Sequence, residues 1–262
     1  MKKILIGLFL VSSMQCALGY NPQDLKRLQE TCSCPGGDLS NANLSNFKLG
    51  DKSTLNIQKV KMDNKGFIIC NISNANFSGA NLQNAYFSPS DFGPGIHEKV
   101  GQIIMQRTNF SRANLANAHL NAVMSDYANF ENANLKNATI MKGASFKNCN
   151  FSHAQMNNIS VSPPMGGCGA MFTFSNFSHA NLINSKLNAD FTQANFSFAD
   201  LMKAQLTPCD EDPKNSFKGT NFLSANLTGT TFNNENLTED QLINAKLCHT
   251  KLSSSISNRD CQ

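Results

Sequence analysis

Few side chains in this sequence are equipped for chemistry: five histidines, nine cysteines and one acidic cluster. Of His97, His119, His153, His179 and His249, the third and fourth share the context Phe-Ser-His-Ala, which should turn both outward. If they stack on one face they could approach a common metal ion, but a metal site needs several ligands held by supporting hydrogen bonds. Two histidines alone read as solvated surface side chains. Asp210, Glu211 and Asp212 carry enough charge for calcium, yet the segment lacks the glycine and the distal glutamate of a calcium-binding loop. It reads as a solvated acidic turn. No catalytic motif stands out, and the sequence assigns no catalytic residue, no cofactor-binding residue and no metal ligand.

What the cysteines do depends on where the chain goes. Lys2 and Lys3 precede the apolar run Ile4 to Val11, and Ala17-Leu18-Gly19 has the small-x-small pattern of a signal-peptidase site. Residues 1–19 therefore read as an export signal cleaved between Gly19 and Tyr20, directing the protein to a periplasm or the exterior. The apolar run falls far short of the roughly 20 residues that span a bilayer, so no stable membrane insertion is expected. Met14 and Gln15 are not the small residues that precede a lipidated cysteine at Cys16. Losing Lys2 and Lys3 takes the formal charge from +4 to +2, which offers no basic patch for nucleic acid. Eight cysteines remain after Cys16 is removed, an even number that allows disulfides in an oxidising compartment.

The elements that must position these residues follow from a five-residue repeat. Large apolar residues fall at Leu39, Leu44 and Leu49, then from Ile57 through Met62, Phe67, Ile72 and Phe77 to Phe92. They resume at Phe110, with Ser125 as one weak slot, and again at Phe172 and Phe217, ending at Leu252. A helix would scatter this period around its surface, and a flat strand would send successive members to opposite faces. All can point inward only if the chain turns a corner once per repeat. Four corners close a square coil of about twenty residues, and coils stack at about 4.8 Å, which gives a rod of about nine and a half coils. Small residues such as Ala75, Ala113 and Ala180 precede each bulky one by two, and Asn or Asp lies between, suited to turn backbone. With charged residues at only 15%, Asn and Ser must cover the outside.

Three interruptions break the repeat. Residues 93–106 carry Val100, Ile103 and Ile104 at helix-like spacing, expected to lie on the flank of the coil or to contact a partner. Residues 162–169 are a loop by their Pro and Gly content, and residues 207–216, with the acidic trio Asp210, Glu211 and Asp212, are another. Cys70 and Cys149 occupy small inward slots and should be buried free thiols. Cys168 and Cys209, about two coils apart in adjacent loops, are the preferred disulfide. Cys248 and Cys261 are expected to hold the tail, residues 253–262, over the end of the coil. Residues 20–36 form the other cap, a short helix with Asn21 as N-cap and Pro22 at its first position, followed by a Cys-rich turn.

The recurring A-N-L/F-x-x strings, as in Ala75-Asn76-Phe77-Ser78-Gly79-Ala80-Asn81-Leu82, resemble the pentapeptide-repeat family over about residues 37–252. The resemblance implies an all-β solenoid, a right-handed quadrilateral β-helix with a short N-terminal capping helix. The start, Cys32-Ser33-Cys34-Pro35-Gly36-Gly37-Asp38-Leu39, resembles secreted members, which often place Cys where Gly37 stands. Two functions compete. One is a non-catalytic exported scaffold contacting a protein or an envelope component, with no cofactor. The other, implied by the resemblance, is a DNA mimic that inhibits topoisomerases, but a duplex carries a negative charge about every 1.7 Å and a mature charge of +2 has the wrong sign. An enzyme or metal-binding protein using the inserted loops is the weakest reading.

Overall fold

The computed structural model describes residues 19–49, 56, 58, 59, 61, 68–87, 100–141, 143–163, 167–209, 216–233, 237–252 and 255–261. The repeat produces a parallel solenoid that winds up a single axis and does not close on itself. In the regular part Asn129 pairs with Asn109 and Asn134 with Asn114, steps of 20 residues. Four inward side chains, Phe110, Leu115, Leu120 and Ser125, occupy one such turn, so the coil is four-sided.

Short strands mark two of its sides. One ladder stacks β2 (Tyr86–Phe87), β4 (His119–Leu120), β6 (Thr139–Met141), β8 (Ser160–Ser162), β10 (Lys186–Asp190), β11 (Gln205–Thr207), β12 (Thr231–Phe232) and β13 (Thr250–Leu252). The other runs β1 (Ile68–Asn71), β3 (Val100–Ile104), β5 (Val123–Met124), β7 (Ala144–Ser145) and β9 (Ala170–Met171), and joins the first through β10.

Phenylalanine fills the axis in two columns. Phe77, Phe110, Phe130, Phe151, Phe177, Phe196 and Phe222 stack face to face at centroid distances from 4.7 to 5.4 Å. Phe146, Phe172, Phe191 and Phe217 form the second column, edge-on or tilted to the first. Each such pair adds about 0.5–1.5 kcal/mol to the burial of its rings. At several levels where Thr or Ser replaces Ala in the small slot, the hydroxyl donates to a carbonyl of the preceding coil, as Thr108 does to Ile72 and Thr220 to Phe191, whereas the buried Ser185 hydroxyl has no such partner among the described residues. The Thr108 and Thr220 hydroxyls are thereby satisfied although buried.

Both ends are capped. At the start, α1 (Pro22–Thr31) opens on Asn21, whose side chain accepts from the Gln23 N–H. Asp24 accepts the Asp38 N–H, so the helix takes over a backbone donor of the first coil. At the far end β14 (Ser255–Ser257) folds back antiparallel on β13. The tail then stands in for the missing next coil: Asp260 accepts the Leu247 N–H, Asn258 accepts that of His249, and Arg259 donates to the carbonyls of Leu242 and Ala245. Arg259, followed by the Leu247 N–H, holds the Asp260 carboxyl below its ordinary range. The five-residue period gives no sign of α2 (Glu239–Leu242), where the Thr238 N–H donates to the Gln241 side chain in a capping arrangement.

Two expectations need correction. The segment holding Val100, Ile103 and Ile104 is strand β3, not a helix on the flank, and it pairs on both sides, with β1 and β5. Stacked coils on either side offer partners to every backbone group of a short apolar run, whereas a helix this short cannot offset its own nucleation. The interruption therefore ends before Val100. Near the start, Asp38, Asn43 and Lys48 pair directly with Asn76, Asn81 and Tyr86, leaving no room for a coil between them. Ile57, Met62 and Phe67, where the period continues in sequence, lie outside the described residues.

Candidate functional site

Most of the outer surface is occupied with itself. The asparagines between the small and bulky slots form ladders, with Asn109 Nδ2 donating to Asn76 Oδ1, Asn129 to Asn109 and Asn195 to Asn176. Each carbonyl also accepts the N–H two residues on, as Asn76 does from Ser78. Such a face is uniform and offers little to tell one partner from another.

The corner edges depart from this pattern, and one of them does so with rings on three successive levels. It carries, level by level, Asn41, Gly79, Arg112, Asn132, His153, His179, Phe198 and Ser224, linked by bonds such as His153 N–H to Ser178 O and His179 N–H to Ser197 O. All of these positions have left-handed backbone, with φ near +58° at His153, His179 and Phe198. That conformation suits Gly and Asn and costs other residues roughly 1–2 kcal/mol. Three successive levels nevertheless carry rings. His153 and His179 stack at 4.8 Å and His179 and Phe198 at 5.0 Å, each pair within 4° of parallel. The stack ends beside Ser224, and Phe198 stays 53% exposed. Leu223 and Ile243, on the following levels, are also exposed, so apolar side chains continue the edge beyond Phe198.

The N-terminal half is polar. Gly79 contributes no side chain, and the gap opens a recess of about 370 Å³ lined by Asn41, Ser78, Asn109, Ser111, Arg112, Glu131 and Asn132. Among the described residues Arg112 makes no ion pair. Recess and ring stack together form a continuous strip of individual side chains; a second corner edge carries Arg107, Tyr127 and Phe174 on left-handed backbone, with both rings exposed but on levels separated by Asn148.

The other sequence candidates are distributed elsewhere. Cys168 and Cys209 are joined across a Cα separation of 4.6 Å, tying two loops together. Gly169 lets the loop that carries Cys168 approach strand β10 and its own start, since a Cβ there would meet Asn188 O at 2.6 Å and Ser162 C at 2.9 Å. Cys248 and Cys261 are likewise joined, at a Cα separation of 4.7 Å. Cys70 is not the free thiol expected of it: it bonds to Cys32 at the end of α1. Five-residue counting puts these two nearly two coils apart, whereas the first turn takes 38 residues, as Asp38 pairing with Asn76 shows, and this brings them level.

Cys149 is a buried free thiol, raised by burial, with its Sγ on the Ser125 carbonyl at 3.0 Å. Cys34 is free and buried too, raised by burial against the opposing effect of the Arg27 guanidinium at 3.2 Å. The position of Gly37 is telling, because a Cβ there would fall 2.1 Å from Cys34 Sγ.

Ile103 is buried, so it offers nothing to a partner, while Ile104 is partly exposed. Tyr20 packs against the core and the Gly19 carbonyl accepts from Ser40. His97 and the trio Asp210, Glu211 and Asp212 lie outside the described residues, as does the segment 1–18. His119 stacks on Tyr86 and bonds to Thr139 on the β2–β4–β6 face. Among the described residues no helix is long and apolar enough to cross a membrane.

A family model described as pentapeptide repeats matches eight copies, over residues 70–92, 103–140, 126–161 and 172–207. No curated protein matches the chain. Among solved structures it is similar to trypsin-treated QnrB1, a plasmid-mediated fluoroquinolone resistance protein, at 15% identity over 71% of this chain and 88% of that one, with a TM-score of 0.36. It is similar to a pentapeptide repeat protein from the Arabidopsis thaliana thylakoid lumen at 20% identity over 52% and 68%, TM-score 0.32. HetL, involved in heterocyst differentiation regulation in the cyanobacterium Nostoc sp. strain PCC 7120, is 19% identical over 97% and 100%, TM-score 0.32. At these identities and scores the likeness carries no argument about what this chain binds.

Proposed function

The chain belongs to the pentapeptide-repeat family, and from that premise we propose that it is an exported, non-catalytic scaffold that binds a protein or envelope component along its recess-and-ring edge. The observation that carries this reading is the placement of His153, His179 and Phe198 on left-handed corners, where Asn or Gly would be cheaper. Solvent-exposed rings at such positions are explained by what they contact rather than by what they do for the rod. Conserving the fold would favour Asn; recognising a partner favours side chains that differ from level to level.

Export is supported by the charged, apolar and small-residue segments of residues 1–19, and by three disulfides of a kind that persists in oxidising compartments. Fluoroquinolone resistance stays with QnrB1, because a mature charge of +2 does not imitate a nucleic acid.

Affinity capture from the native compartment tests the proposal, comparing the natural chain with a His179→Asn/Phe198→Asn variant. Losing two stacking contacts while relieving two strained corners should leave the melting temperature nearly unchanged. Partner recovery should fall at least tenfold. Equal recovery by a stably folded variant would reject this edge, and an intracellular product retaining Lys2 and Lys3 would reject export.

A further inference from the structure

The C-terminal clamp contains more than a disulfide. His249 follows Cys248 in sequence, and its ring lies close to both sulfurs: the ligand atoms of Cys248, His249 and Cys261 all fall within 4.8 Å of one another. His249 and Cys261 are exposed, and among the described residues the His249 ring has no hydrogen-bond partner, only its backbone N–H being engaged, by Asn258. One side of the cluster adjoins β13, and the other belongs to the last turn of the tail.

We propose that, once its disulfide is reduced, this corner is a zinc site formed by the Cys248 and Cys261 thiolates and the His249 imidazole. Two sulfurs at about 2.3 Å and a nitrogen at about 2.0–2.1 Å from a tetrahedral Zn²⁺ stand roughly 4 Å apart, within the span these atoms already occupy. The reaction balances with an external dithiol as reductant. Its two thiols become a disulfide, the Cys248–Cys261 bond takes up two electrons and two protons, and Zn²⁺ then displaces those protons from the new thiols. A fourth position remains for water. The tail thus has two closed forms, covalent when oxidised and metal-held when reduced, and in either form Asp260 and Asn258 stay over the N–H groups of Leu247 and His249.

The test uses the full chain, reduced with a dithiol, freed of reductant under anaerobic conditions and titrated with Zn²⁺ alone. One ion per chain should bind, with release of about two protons. Co²⁺ in its place should give a thiolate-to-metal absorption band. The oxidised chain should bind neither. Cys261→Ser, at an exposed tail position, should abolish the band, and His249→Asn, which tolerates the left-handed backbone there at φ 52°, should weaken Zn²⁺ at least tenfold. No binding by the reduced chain overturns the proposal. So does undiminished binding by both variants, which would place the ion at the other reduced cysteines.

Discussion

Ser125 stands where the repeat calls for a bulky residue, and it is fully buried with a hydroxyl that finds no hydrogen-bond partner. An unsatisfied buried hydroxyl costs about 1–3 kcal/mol. Ser125→Ala should therefore raise the urea midpoint, by about 1 kcal/mol in stability, and an unchanged or lower midpoint would show that the group is solvated after all. Cys149, one turn further on, gives the fold a pH dependence. Burial raises its thiol above the ordinary 9.0, so the folded state holds the proton more tightly than the unfolded chain. That contribution is complete below pH 9 and is lost progressively as pH rises beyond it. Cys149→Ala should flatten the decline of stability with pH in alkaline urea melts; an identical slope would mean that the thiol does not report the buried environment.

At the scale of elements, the loop that carries Cys168 depends on close backbone approach to strand β10. Adding a Cβ at Gly169 meets backbone atoms of Asn188 and Ser162 rather than a movable side-chain tip. Gly169→Ala should cost about 1–3 kcal/mol, read as a lowered melting temperature in the oxidised protein. Strand β3 teaches the complementary lesson. Val100, Ile103 and Ile104 satisfy a helical spacing, but Ile103 and Met105 both turn inward at the spacing of a strand. Once neighbouring coils supply hydrogen-bond partners, that second pattern governs. Local periodicity was ambiguous, and tertiary pairing resolved it.

For the whole molecule the ends decide solubility, since a solenoid exposes unpaired backbone wherever its stacking stops. Replacing Arg259 and Asp260 together by Ala removes the groups that occupy the last coil's carbonyls and the Leu247 N–H. Light scattering should then show a mass that grows with concentration beyond that of the natural chain, and concentration-independent behaviour would assign the capping to β14 alone. The sequence by itself determined the solenoid, because a five-residue apolar period admits neither a helix nor a flat strand, and it marked Cys168, Cys209, Cys248 and Cys261 as the bridging candidates. It could not determine which residues stand level with one another. The first turn takes 38 residues where the regular turn takes 20, and only that difference sets Cys32 beside Cys70. The alignment of His153, His179 and Phe198 into one column, and of His249 with two sulfurs, likewise depends on how many residues each turn consumes. Inward residues are dictated one repeat at a time by burial, whereas outward neighbours come from different coils and exist only when the coils are stacked.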